Sequence, residues 1–320
     1  MIKQANELTF GDKKFSMILY GAPGVGKTTL ALSAPNPVLI DFDKGVSRVK
    51  AYHRRLTIVC DTYEEVLNDI QATEIKDCET IIIDTGGSFV SYLQDYVMRE
   101  NPAVNKQKNG AISLKGFGAV KQEFQRFTNM VRDVMNKNVI YVFHSDEQKD
   151  KDGNPQQRLL CEGAARNIVW QPCDFGGYVQ MIGNTRVVTF TPTQEFFAKG
   201  CYGIEGQFNV PSIGPADKNE FLTNLFEKAR ANIEADNEAF APLKEQYDAT
   251  MIEVRKILDN IKTVDDANAA VASLPSLNHA LTSKKEASAL LSEKAKELGF
   301  TWDKASKGYV VPTAESVGAN

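Results

Sequence analysis

Along the first half of the chain, short apolar runs of strand length alternate with longer amphipathic stretches. Ser16–Tyr20 is a strand-length run, and Thr28–Ala34 reads as a helix behind it. Pro37–Phe42 (PVLIDF) predicts a buried strand ending in the acids Asp41 and Asp43, and Leu56–Cys60 is another β-branched run. Thr62 and Glu65 stand at capping-box spacing, so a helix is expected over Thr62–Ile70. Thr80–Asp84 (TIIID) is strand material closed by a carboxylate, and Gly86, Gly87 and Ser88 read as a turn into a helix over 88–98. Ala119–Asn136 is amphipathic and helical, and Asn138–Phe143 is a strand with His144 and Ser145 at its end. This alternation predicts an α/β fold with a mostly parallel sheet flanked by helices. Gly183-Asn184, between Cys173–Ile182 and Thr185–Thr191, adds an edge β-hairpin.

Two polar stretches, 99–118 and 146–158, are expected to be long loops, and loops of that length inside a compact domain are usually functional or disordered. Residues 1–14 read as a polar lead-in or hairpin strand. Near Pro211–Pro215 the pattern changes, and from about residue 219 it is helical and highly charged. Phe240, Leu243, Tyr247, Val254, Ile257 and Ile261 form one stripe at heptad-like spacing, with Pro242 in a first turn or at a kink. Helices are expected over Thr263–Ser273 and Ser283–Leu298, the latter with Ser283 and Glu286 as a capping box and Gly299 as its stop. The expected division is a core of residues 1–215 and a helical module of residues 216–320 with a frayed end.

Chemistry enters at residues 21–28, GAPGVGKT, which complete G-x-x-x-x-G-K-[ST] between a strand and a helix. Glycines at Gly21, Gly24 and Gly26 let backbone N–H groups approach an anion closely. The expected nucleotide contacts are Gly21, Ala22, Pro23, Gly24, Val25, Gly26, Lys27, Thr28 and Thr29. Lys27 would bridge the β- and γ-phosphates, and Mg²⁺ would be held between Thr28 and Asp84. Asp84–Gly87 also matches the D-x-x-G of GTPases, but a guanine-reading N-K-x-D is missing after a strand, so ATP is preferred. For activating water, Asp43 is the first candidate and Asp41 the competitor, in a strand expected beside the phosphate loop. His144 ends a strand expected between the phosphate-loop strand and the Asp84 strand, where a polar tip reaches the γ-phosphate. A solvated turn acid and a hydrogen-bonded structural histidine are the plainer readings of Asp43 and His144.

Composition narrows the partners. A hydrophobic share of 42% with 24% charged residues suits a globular chain, and no apolar run approaches the ~20 residues of a membrane span. The start, MIKQANELTF, lacks the apolar core of a signal peptide, so a cytoplasmic location is expected. The five cysteines form no C-x-x-C pair and read as reduced thiols; the three histidines are scattered. A net charge of −4 argues against a dominant nucleic-acid surface while leaving room for a local basic loop.

These residues resemble the RecA-like ATPase core. LIDFDKG resembles the segment in which a strand ends in an Asp followed two residues on by the catalytic acid, here Asp43 in place of a Glu. NVIYVFHS resembles the strand whose last polar residue, here His144, couples nucleotide to a DNA-binding loop. AKGCYG (198–203) resembles the K-x-R-[FY]-G segment that enters a neighbour's nucleotide site; Lys199 matches the lysine and Cys201 stands at the arginine. More narrowly, residues 10–215 are similar to bacteriophage-encoded AAA-type proteins, among them RecA-like single-strand annealing proteins of phage recombination. The resemblance implies Mg·ATP hydrolysis with Lys27, Asp43, Asp84, His144 and Lys199 as catalytic residues, and a homo-oligomeric ring or filament in the host cytoplasm. Single-stranded DNA would be held by Lys106, Lys108, Lys115, Phe117 and Arg158. The alternative is a nucleotide-switched protein whose helical tail recruits a partner such as a single-strand binding protein or polymerase. A helicase motor is a third option, for which no accessory motif is seen.

Overall fold

The computed structural model describes residues 12–161 and 169–312. The lead-in 1–11 and the tail 313–320 lie outside the described residues. Two compact units emerge, one of residues 11–232 and one built from residues 233 onward.

In the first unit the strands are β1 Ser16–Gly21, β2 Pro37–Asp41, β3 Thr57–Val59, β4 Thr80–Asp84, β5 Asn138–Lys149, β6 Pro155–Leu159, β7 Phe175–Ile182, β8 Thr185–Thr189 and β9 Gln207–Val210. The helices are α1 Lys27–Ala31, α2 Tyr63–Asp69, α3 Gly86–Glu100, α4 Pro102–Asn105 and α5 Leu114–Asn129. The sheet runs β3-β2-β4-β5-β1-β7-β8-β9. The pairs from β3 to β7 are parallel, and β8 and β9 add antiparallel edges. This is the expected arrangement: a mostly parallel sheet flanked by helices, followed by a helical region. Every residue of β1, β2 and β4 is buried, as unbroken apolar runs in parallel sheets require.

One face is filled by aromatic rings. Phe89 of α3 lies against Phe42, Tyr63, Phe124 and Phe127 at centroid distances of 5.0–5.9 Å. Tyr141 is fully buried, and its hydroxyl is satisfied by Thr128 Oγ1 at 2.6 Å, so the polar tip is not stranded in the core. The capping box of α2 forms as expected, with Thr62 and Glu65 each taking the other's backbone N–H.

Several expectations are corrected. The stretch 99–118 is no long loop: α3 runs to Glu100, α4 follows, and a tight turn bridging Lys106 to Ile112 leads into α5. Ser113 caps α5 by accepting the N–H of Gly116, which starts the helix earlier than its apolar periodicity suggested. The stretch 146–158 is likewise a hairpin, because β5 continues to Lys149 and pairs antiparallel with β6. Thr85 caps α3, so Gly86–Ser88 is its first turn. Finally, β2 lies beside β3 and β4, not beside the phosphate-loop strand β1. Alternation of polar and apolar residues cannot specify strand order, which depends on how the crossovers pack.

The long helix α6 Phe221–Asp259 begins in the first unit and carries Pro242 within it. The second unit adds α7 Val264–Ser273, α8 Ser283–Glu297 and a small hairpin of β10 Thr301–Asp303 and β11 Gly308–Val310. Its core joins Val254, Leu258, Ile261, Ala270, Leu291 and Tyr309. The predicted stripe is therefore buried only in its second half; Phe240 and Leu243 remain 40% and 45% exposed. The capping box expected at Ser283 does not form: Thr282 is the N-cap of α8 and makes no side-chain cap to the backbone, its hydroxyl being bonded to the Glu286 carboxylate. No helix among the described residues is long and apolar enough to cross a membrane.

Candidate active site

The carboxyl ends of β1, β2, β4 and β5 converge, and parallel pairing brings their last residues into one row. His144 is in register with Gly21, and Asp84 with Asp41 and Val142. The crevice above the strand ends is where open α/β sheets place ligands. A cavity of about 410 Å³ opens there, lined by Lys27, Thr28, Asp43, Arg48, Asp84 and His144 among others.

The motif residues form the floor. Gly24 and Gly26 sit at φ +81° and +84°, a region that side chains rarely adopt, and Gly26 in that conformation hands the chain into α1. Arg186 of β8 packs against Gly26 and donates from Nε to the Val25 carbonyl at 2.6 Å, bracing the loop from behind. Lys27 is 5% exposed, and its ammonium donates to the carbonyls of Gly21 (3.0 Å) and Ala22 (2.8 Å). Burial lowers its pKa to about 8, against the pull of Asp84 and Asp43.

Thr28 Oγ1 donates to Asp84 Oδ2 at 2.6 Å, which joins the two expected metal ligands directly. Burial raises the Asp84 carboxyl from 3.8 to about 6, although the Thr28 hydroxyl stabilises its charged form. A carboxyl whose folded pKa lies above its unfolded value is penalised when it ionises. The penalty is absent below pH 4, grows between pH 4 and 6, and is complete above pH 6. Asp84→Asn is therefore expected to stabilise the ligand-free protein at pH 7.5 by about 2–3 kcal/mol, with the gain vanishing toward pH 4. Denaturant midpoints taken across that range check this, and a gain independent of pH would count against it. A divalent cation held by Asp84 would need the ionised carboxylate, so any metal-dependent binding in this cavity is expected to weaken as pH falls below about 6.

Asp41 and Asp43 separate clearly. Asp41 is 1% exposed, and its two oxygens accept the backbone N–H groups of Gly45 and Val46, each at 2.8 Å. It holds a turn together and does not line the cavity. Asp43 does line it, because the Asp84 carbonyl accepts the N–H groups of Phe42 and Asp43 and pulls the strand end inward. Its Oδ1 accepts the Ser88 hydroxyl and lies 3.5 Å from Thr85 Oγ1. Its Oδ2 faces His144 Nε2 and Arg48 Nη2, each at 3.8 Å.

His144 bridges the two halves of the site. Its Nδ1 is 3.3 Å from the Lys27 ammonium, and since the ammonium can only donate, Nδ1 is the acceptor and Nε2 carries the proton toward Asp43. Burial first and Lys27 second hold its pKa below the usual value, so the ring is neutral near pH 7.

The remaining expected residues lie elsewhere. Ala22 and Val25 belong to the loop without lining the cavity, whereas Pro23 and Thr29 line it. Lys106 and Lys108 stand in the tight turn before α5, Lys115 in that helix's first turn, and Phe117 is half-buried in it. Arg158 lies on β6 with its guanidinium 3.4 Å from the centre of the Phe197 ring. Lys199 lines a separate cavity with Arg158, Trp170 and Phe197, and its ammonium is bonded to the Cys173 carbonyl. Sequence reading passed over Arg48, Ser88 and Arg186. Only the fold brings Ser88 to Asp43 and Arg186 to the loop, whereas Arg48 reaches Asp43 through the local turn after β2.

A family model described as an AAA domain matches residues 13–202. No curated protein matches the chain. Among solved structures, the flagellar accessory protein FlaH from Methanocaldococcus jannaschii is similar at 9% identity, over 55% of this chain and 76% of that one, with a TM-score of 0.28. A second solved structure, the isolated ATPase domain of another protein, is similar at 14% identity, over 61% of this chain and 80% of that one, with a TM-score of 0.31. The phosphate-binding loop, both acidic strand ends and His144 all fall inside the matched stretch, and the chain belongs to the AAA domain family.

Proposed function

We propose that this cavity binds Mg·ATP and hydrolyses it, and that hydrolysis serves work on single-stranded DNA by an oligomer with ATP at its subunit joints. The observation that carries the reading is the convergence of Lys27, the Thr28–Asp84 pair and Asp43 on one cavity. The Thr28 hydroxyl and the Asp84 carboxylate are hard oxygen donors, which suits a magnesium ion sharing phosphate oxygens and waters. Bound there, the ion would neutralise charge on the phosphates. Lys27 now spends its donors on the carbonyls of its own loop, and β- and γ-phosphate oxygens would replace them. Asp43, held at Oδ1 by Ser88, keeps Oδ2 for the proton of an attacking water. His144, in contact with both Lys27 and Asp43, would respond to the γ-phosphate.

The DNA part of the reading rests on continuity. Strand β5 leaves the cavity at His144 and becomes, without a break, the hairpin bearing Lys149, Lys151 and Arg158. Arg158 stacked on Phe197 combines a cation with an aromatic face, the pair that holds single strands without reading sequence. Annealing or strand pairing in phage recombination or replication is the setting that the resemblance suggests. A nucleotide-switched recruiter is the second reading, favoured by the exposed Phe240 and Leu243 on α6.

ATPase rates with and without single-stranded DNA at low salt separate the two. DNA stimulation is expected, and it should fall at least several-fold in Lys149→Ala/Lys151→Ala/Arg158→Ala or in Lys106→Ala/Lys108→Ala/Lys115→Ala, whichever surface is used. Turnover that ignores DNA, with nucleotide binding intact, would favour the recruiter.

A further inference from the structure

The segment that resembles the neighbour-inserted K-x-R-[FY]-G carries Cys201 at its arginine position, so it brings no guanidinium to a γ-phosphate. The cavity nevertheless holds one of its own. Arg48 lines both the 410 Å³ cavity and an adjoining one of about 300 Å³, and the two cavities also share Gly24, Gly26 and Thr29 of the phosphate loop. Among the described residues that line the larger cavity, Arg48 and Lys27 supply the cationic side chains.

Its placement is built, not incidental. Buried Asp41 accepts the N–H groups of Gly45 and Val46 and fixes the turn that starts the short 3₁₀ helix Val46–Arg48. The guanidinium folds back over Gly45, where a Cβ would meet Nη2 at 2.3 Å and Cζ at 2.9 Å. From there Nη2 reaches Asp43 Oδ2 at 3.8 Å. Gly45 has φ −98°, a conformation open to any residue, so what glycine supplies here is room for the guanidinium.

The side chain of Arg48 is 71% exposed, and a pair this open and this long is weakly held. A γ-phosphate entering the cavity offers a denser anion and bidentate geometry. Resting on the ATPase reading above, we propose that Arg48 acts in cis as the arginine that contacts the γ-phosphate. It leaves Asp43 when a triphosphate binds and stabilises the charge that develops during transfer. In that transfer the water oxygen bonds to the γ-phosphorus and the bond to the β–γ bridging oxygen breaks. The electron pair stays on ADP, and the water's proton passes to Asp43. Arg48 takes neither proton nor electrons.

The test compares wild type with Arg48→Ala, Arg48→Lys and Gly45→Ala, the last keeping the charge while displacing it. Calorimetry with Mg·ADP and Mg·ATPγS reads binding, and phosphate release reads turnover. ADP affinity is expected to stay within about threefold in all variants, while ATPγS loses its advantage over ADP and kcat falls about 100-fold or more in Arg48→Ala. Arg48→Lys and Gly45→Ala should fall between. If kcat and the ATPγS preference survive Arg48→Ala, the inference is overturned while the ATPase reading stands. Equal losses for ADP and ATPγS would also overturn it, by assigning Arg48 to general binding. A wild type that binds but never hydrolyses would sink the ATPase reading; the ATPγS preference then decides on Arg48 by itself.

Discussion

Lys27→Ala is expected to lower affinity for Mg·ATP by about 100-fold or more, since two charge-assisted contacts at about 1.5–3 kcal/mol each disappear with the ammonium. Titration calorimetry reads this directly. The geometry makes the loss specific. The ammonium is bonded to the carbonyls of Gly21 and Ala22, inside the loop that would wrap the phosphates. Burial has already lowered its pKa to about 8, so its charge is destabilised until an anion arrives. A triphosphate relieves that penalty, and alanine has none to relieve. The folded state should survive, because an apolar methyl replaces a buried cation. If Lys27→Ala binds Mg·ATP within a few-fold of wild type, the cavity does not hold phosphates through this loop.

The second large effect is expected at Asp43. Asp43→Asn should bind Mg·ATP within a few-fold of wild type and lose about 100- to 10,000-fold in kcat, the range for removing a positioned general base. Amide and carboxylate have the same shape, so the Ser88 hydroxyl keeps an acceptor while the oxygen facing His144 and Arg48 can lose its basicity. Asp41→Asn is the internal comparison. Its carboxylate holds the N–H groups of Gly45 and Val46, so its loss should loosen the turn and lower stability before it touches chemistry. Steady-state turnover beside nucleotide binding separates the two variants. Full turnover in Asp43→Asn would pass the role to another group.

How much of this was readable beforehand varies by element. The buried runs Ser16–Tyr20, Pro37–Asp41 and Thr80–Asp84 announced their strands because parallel strands covered on both faces have no polar side to show. The capping box at Thr62 was readable because its two partners are three residues apart. The hairpin at Gly183 was readable because a positive φ, here +57°, selects the residue. The stretches 99–118 and 146–158 misled because their polar residues resemble loop composition. A cap at Ser113 and antiparallel pairing of β5 with β6 are contacts that composition does not encode. At the opposite end, the stripe on α6 was regular in sequence yet only its second half found a core.

The chain's own order of residues determined the phosphate-binding loop, the carboxylates at strand ends and the alternation that makes a parallel sheet, because each depends on near neighbours. Tertiary structure decided the rest. Strand β5 lies between β1 and β4 as expected, and packing at its end set the His144 ring against both Lys27 and Asp43. Backbone bonds to the Asp84 carbonyl turned Asp43 into the cavity and left Asp41 to brace a turn. Arg48 reaches Asp43 within the local turn that Asp41 holds. Ser88 and Arg186, far along the chain from Asp43 and the loop they touch, acquired partners only when the sheet closed the distance, and no spacing along a chain records that.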